Sequence, residues 1–173
     1  MRISSSVRKT GIFFLVIGRL IRTLFLRPPA YTKPNAIPRR RRSIAIRVVD
    51  CGSNNGVEQE IQAMFNPIYD AERYGLRLVT SPRHADVLLV TGPLTRNMER
   101  PLLAAFRAMP EPRRVVTVGD DVEGGGVYTG SYAIIPLPKE ILAARAAHVP
   151  GDPPAPDQIL QKLLEVDFWA KSN

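Results

Sequence analysis

Two short apolar runs, VLLV at 87–90 and VVTV at 115–118, restrict this chain more than any other feature. A strand with no polar face fits a sheet covered on both sides, the usual condition of parallel strands connected by helices. The surrounding pattern supplies those helices. SIAIRVVD (43–50) is a β-branched run that stops at Cys51-Gly52-Ser53, and VEQEIQAMFNP (57–67) follows with helical apolar spacing. GLRLVT (75–80), ADVLLVTG (85–92) and RRVVTVGD (113–120) predict further strands, PLLAAFRAM (101–109) a helix, and AARAAHV (143–149) an edge strand. Ile159, Leu160, Leu163 and Leu164 predict a last helix over 156–169, with Pro154 and Pro156 marking its start. The expected fold is α/β: an open, mainly parallel sheet flanked by helices, flavodoxin-like, spanning residues 43–173.

The N-terminal region has a different character. Up to Ile46 the chain holds 11 Lys or Arg and no carboxylate, so residues 1–49 carry about +12 and residues 50–173 about −4 of the formal +8. The high isoelectric point therefore describes a tail, and the globular part is mildly acidic. GIFFLVIGRLIRTLFL (11–26) is apolar but interrupted by Arg19 and Arg22, which disfavours a membrane-spanning helix. Residues 1–27 are expected to form an amphipathic helix lying in an anionic membrane surface, with a signal or transit peptide as the competing reading. Residues 28–42, with four prolines and the basic run at 39–42, read as an extended linker. That run lacks interleaved aromatics and a recognition fold, so no nucleic-acid partner is expected.

Open parallel sheets place ligands outside the carboxyl ends of their strands. Three loops therefore matter: residues 51–57, residues 119–126 and residues 149–154. The single cysteine, Cys51, excludes an internal disulfide, and His84 and His148 belong to no metal-ligand spacing. Asp120, Asp121 and Asp152 read as carboxylates that are solvated or pair with a partner, with no metal expected; the alternative is that they converge on a hard cation. Gly124-Gly125-Gly126 lacks the features of a phosphate-binding loop and reads as a structural turn. Arg83, His84 and Asp86 precede a buried strand. They read as loop-stabilising residues, with an interface or proton-relay role as the alternative.

The segments DCGSNNGVEQEI (50–61), NPIYDAERYG (66–75), TSPRHADVLLVTGPLT (80–95), MPEPRRVVTVGD (109–120), GGVY (125–128) and VPGDPPAPDQIL (149–160) together resemble one family. It comprises the twenty-kilodalton small subunits of complex I, or NADH-quinone oxidoreductase, and of membrane-bound NiFe-hydrogenases of the formate hydrogenlyase type. The resemblance runs from about Val49 to Leu164. In that family four cysteines hold one 4Fe–4S cluster, and the resemblance assigns their positions here to Asn54, Val57, Asp121 and Asp152. Cys51 matches an extra cysteine upstream of the ligand pair in the hydrogenase branch. The resemblance also puts Glu58 near the path between cluster and catalytic subunit, although a carboxylate in the first turn of a helix needs no function beyond the helix dipole.

The resemblance thus implies a degenerate small subunit from which the ancestral cluster has been lost, leaving no cofactor. Such a chain would dock a large-subunit homologue onto antiporter-like and other membrane subunits of an ion-translocating complex, peripherally on the cytoplasmic face of the inner (plasma) membrane. Two other readings stand beside it: an electron-transfer subunit whose cluster sits on atypical ligands and passes electrons between a hydrogenase-like site and quinone, and a solitary soluble protein with a basic tail.

Overall fold

The apolar runs at 87–90 and 115–118 occupy the interior of a five-stranded, wholly parallel sheet, as their lack of a polar face requires. The computed structural model describes residues 43–124 and 126–166. The amphipathic helix, the linker and the final residues expected for the last helix lie outside these. Strands β1 (Ile44–Asp50), β2 (Leu76–Leu78), β3 (Val87–Thr91), β4 (Val115–Val118) and β5 (Arg145–Val149) pair in the order β2-β1-β3-β4-β5. This is the flavodoxin-like order, in which the connections diverge between β1 and β3 and leave a crevice at the carboxyl ends.

Side-chain alternation sorts the core into two layers. Ile44 and Ile46 of β1, Val87 and Leu89 of β3, and Val116 and Val118 of β4 face helices α1 (Gly56–Met64) and α5 (Pro156–Glu165), meeting Val57, Ile61, Met64, Ile159, Leu160 and Leu163. Leu88, Val90 and Val115 face the opposite layer, where Leu102 and Phe106 of α2 (Glu99–Ala108) and Ile141 of α4 (Lys139–Ala143) cover them. Every side chain of β3 is buried, and each Val or Leu there contributes about 1.5–3 kcal/mol of burial.

Two elements were not anticipated. A one-turn helix α3 (Asp121–Gly124) opens the loop after β4, and the five-residue α4 ends at Ala143, so β5 starts at Arg145 instead of residue 143. Helix α2 begins two residues before the expected start, because Pro101 falls in the first turn, where its missing N–H is harmless. A bulge pairs Val115 with Arg145 and Val116 with Ala147, making Ala146 an extra residue on β5. Among the described residues no helix is long and apolar enough to cross a membrane.

Arg83 and His84 lie in a short 3-10 turn, Pro82–His84, at the amino edge of the sheet, and both are exposed. Asp86 instead ties β3 to β1: its Oδ2 accepts the Ala45 N–H at 2.7 Å while its own N–H donates to the Ala45 carbonyl at 2.8 Å. The carboxylate thus satisfies a donor at the start of a buried strand and is not paired with Arg83. Asp86→Ala should lower unfolding stability by about 1–3 kcal/mol in urea titrations, whereas Arg83→Ala should change it by less than about 0.5 kcal/mol.

Candidate functional site

The loop leaving β1 is folded by its own polar side chains. Asp50 Oδ1 accepts the N–H groups of Gly52 and Ser53 at 2.8 and 2.7 Å, and Asn54 Oδ1 accepts the Gly56 N–H at 2.9 Å. The loop rests on the segment leaving β3, where Thr95 N–H and Oγ1 both donate to the Cys51 carbonyl, at 3.1 and 3.0 Å. Gly92, at φ +66°, allows this approach, because a methyl group there would lie 2.5 Å from the Ser53 nitrogen. Glu58, in the first turn of α1, locks the arrangement. Its carboxylate accepts hydroxyl bonds from Ser53, at 2.5 Å, and from the buried Thr91 at the end of β3.

The loops after β4 and β5 are joined by one backbone bond and one to a side chain. Asp120 N–H donates to the Gly151 carbonyl at 3.0 Å, and Gly151 N–H returns to Asp120 Oδ1 at 2.9 Å. Gly119, at φ +95°, sits where all three loops meet: a methyl group on it would lie 3.0 Å from Val57 Cγ2 and 3.7 Å from the Gly151 carbonyl. A network partly created by the β5 bulge braces the same corner. His148 Nδ1 lies 2.9 Å from Thr117 Oγ1 and 3.6 Å from Glu123, its Nε2 is 4.0 Å from Asp120, and Arg145 forms an ion pair with Glu123. Nothing in the spacing of Thr117, Glu123, Arg145 and His148 announced this network.

Asn54, Val57, Asp121 and Asp152 are thus gathered at one corner of the carboxyl edge. Their chemistry differs sharply. The Asn54 amide oxygen is spent within its own turn, Val57 is buried among apolar side chains, Asp152 is exposed and Asp121 is only 5% exposed. Burial, reinforced by Asp152 and then Asp120, holds the Asp121 carboxyl above the usual carboxylate range.

Cys51 does not join the corner. It continues the alternation of Val49, so its side chain is buried in the layer beneath α2, where desolvation, with help from Asp50 and Glu58, pushes the thiol up to about 12. Among the described residues no three His, Cys, Asp or Glu side chains are grouped as metal ligands. Arg83, His84 and Asp86 lie at the other end of the strands.

The Asp121 environment sets a pH dependence. A carboxyl whose folded pKa is raised supports the fold fully below its unfolded pKa and withdraws that support as pH rises through the folded value. Asp121→Asn should therefore raise the Tm of the chain at neutral pH and lose that advantage in acid. An advantage independent of pH would contradict the assignment.

The profile of a family described as NADH ubiquinone oxidoreductase, 20 Kd subunit, matches residues 54–166. Formate hydrogenlyase subunit 7 of Escherichia coli (strain K12) is 39% identical over 127 residues, covering 73% of this chain and 49% of that protein, so the chain spans about half the length of this relative. The membrane-bound hydrogenase subunit mbhJ of Pyrococcus furiosus is 43% identical over 117 residues, covering 67% of this chain and 69% of that protein. Among solved structures, a chain of the membrane-bound sulfane sulfur reductase, an archaeal respiratory membrane complex, superposes with a TM-score of 0.59 at 26% identity, covering 71% of this chain and 69% of that chain. A chain of an NAD+-reducing NiFe-hydrogenase shares the fold, with a TM-score of 0.51 at 18% identity over 70% of this chain and 91% of that one. Sequence and fold agree, and the chain belongs to the NADH ubiquinone oxidoreductase 20 kDa subunit family.

Proposed function

We propose that this chain is a small subunit of a membrane-associated, hydrogenase-like or complex I-like assembly that has kept the docking role of its family and given up the electron-carrying cluster. It joins a large-subunit homologue to ion-translocating membrane subunits from the cytoplasmic face, with the basic N-terminal arm as its contact to anionic lipid. The observation that carries this reading is the donor set: an amide, an aliphatic side chain and two carboxyls occupy the positions that the family resemblance assigns to four thiolates.

A cubane asks for soft sulfur donors. Cys51 is the chain's sole cysteine, and its thiol, buried beneath α2 and raised to about 12, remains protonated at neutral pH. Thiolates are what iron binds, so the residues present do not fit the group. The corner's shape is set by the close packing of Gly119 beside Val57, the paired loops at Asp120 and Gly151, and the Glu58 lock on the first loop. Relatives that are subunits of membrane-bound hydrogenase and respiratory complexes support the assignment to such an assembly.

The test is iron and acid-labile sulfide measured on this chain, purified with its complex and then separated from its partners under anaerobic conditions. The expected result is neither element in stoichiometric amount and no cluster signal in electron paramagnetic resonance after reduction. A stoichiometric cluster lost on Asp121→Asn or Asp152→Asn would establish the electron-transfer reading instead.

A further inference from the structure

One crossover of the sheet is missing its helix. On the face that carries Leu88, Val90 and Val115, α2 comes from the β3–β4 connection and α4 from the β4–β5 connection. The β2–β3 connection, residues 79–86, passes over β1 on the same side and puts Val79 and Ala85 in that layer, yet it holds only the 3-10 turn Pro82–His84. A parallel crossover usually carries a helix, because the sheet beneath it needs cover on both faces. Among the described residues no helix takes that place.

The uncovered end of the face presents positive charge. The register Ile44↔Leu76, Ala45↔Arg77 and Ile46↔Leu78 puts Ile44, Ile46 and Leu76 in the layer of α1, so Ala45, Arg47 and Arg77 point the other way. Arg77 is exposed and Arg47 half-buried, and among the described residues the buried Arg47 Nε has no hydrogen-bond partner. Neither guanidinium forms an ion pair there. The acidic residues of the adjoining strand ends are engaged elsewhere: Asp86 accepts the Ala45 N–H, and Asp50 accepts those of Gly52 and Ser53. A guanidinium N–H taken from water without a new acceptor is costly, and a carboxylate supplied from outside would remove that cost.

We propose that this face of β1 and β2, beside α2, receives a helix of a partner polypeptide that presents carboxylates to Arg47 and Arg77. A helix completes the interrupted layer, and carboxylates match the planar fork of each guanidinium. The chain's own flanking segments lack that chemistry. Residues 1–42 hold 11 Lys or Arg and no carboxylate, and residues 167–173 hold one acidic side chain, Asp167, beyond a helix that packs on the opposite face. The inference rests on the assembly reading above, to which it adds the docking surface and the partner's chemistry, and it is independent of whether the corner at the carboxyl edge holds a cluster.

The test uses the full chain, alone and in its purified complex. Cys51 is buried, so Arg77→Cys adds one accessible thiol. Maleimide should modify that thiol at least about tenfold more slowly in the complex than in the isolated chain, the loss expected when a contact worth one charge-assisted bond covers it. In the complex carrying Arg77→Lys, a water-soluble carbodiimide should join the new amine to an Asp or Glu in a helix of a partner chain, the water lost in forming the amide converting the carbodiimide to its urea. Equal maleimide rates in the two samples, a crosslink only to this chain's own carboxylates, or no crosslink would overturn the proposal. A chain that purifies without any partner would overturn the assembly reading as well, so copurification tells the two failures apart.

Discussion

A parallel sheet with apolar side chains on both faces must be covered twice, and this requirement orders everything else in the domain. Leu88 and Leu89 point to opposite layers, so α2 and α4 are needed on one side and α1 and α5 on the other. Each covering helix carries the chain back to the amino edge, which brings the loops that leave β1, β4 and β5 together at the carboxyl edge. Gly119, beside Val57 and Gly151, lies where those loops meet. A site at this corner follows from the topology, whatever chemistry its side chains carry.

The family resemblance assigns four thiolates to that corner, where this chain carries an amide, an aliphatic side chain and two carboxyls. Asp120, Asp121 and Asp152 together give that corner an imbalance of negative charge. Burial makes the imbalance matter at Asp121, because desolvation there disfavours the ionised form more than it would at the surface. The corner holds its shape through the Glu58 bonds to Ser53 and Thr91, the Asp50 turn, and the Asp120 bond to Gly151.

Much of the architecture was legible because it rests on local pattern. β3 and β4 are the apolar runs at 87–90 and 115–118, α1 and α5 follow from helical spacing, and β5 was read as an edge. The convergence of positions 54, 57, 121 and 152 was legible through the family resemblance. The alternation Ala45, Arg47, Val49, Cys51 already points the thiol to the side of the sheet away from Val57. What stayed hidden depends on distant partners or on very short elements. Helix α4 is five residues long with one buried anchor, Ile141, and α3 is a single turn in a stretch whose glycines suggest a loop. Thr91 as a partner of Glu58, and Thr117 as a partner of His148, arise from strands brought side by side, and no window of sequence contains both members.

The central claim is that side chains, not an inorganic cluster, occupy the corner formed by Asn54, Val57, Asp121 and Asp152. The most direct measurement is a diffraction experiment on the complex containing this subunit, with data recorded on both sides of the iron absorption edge. The account predicts no anomalous peak within this domain and continuous protein density at the corner. A strong iron peak between the loops after β1, β4 and β5 would contradict it.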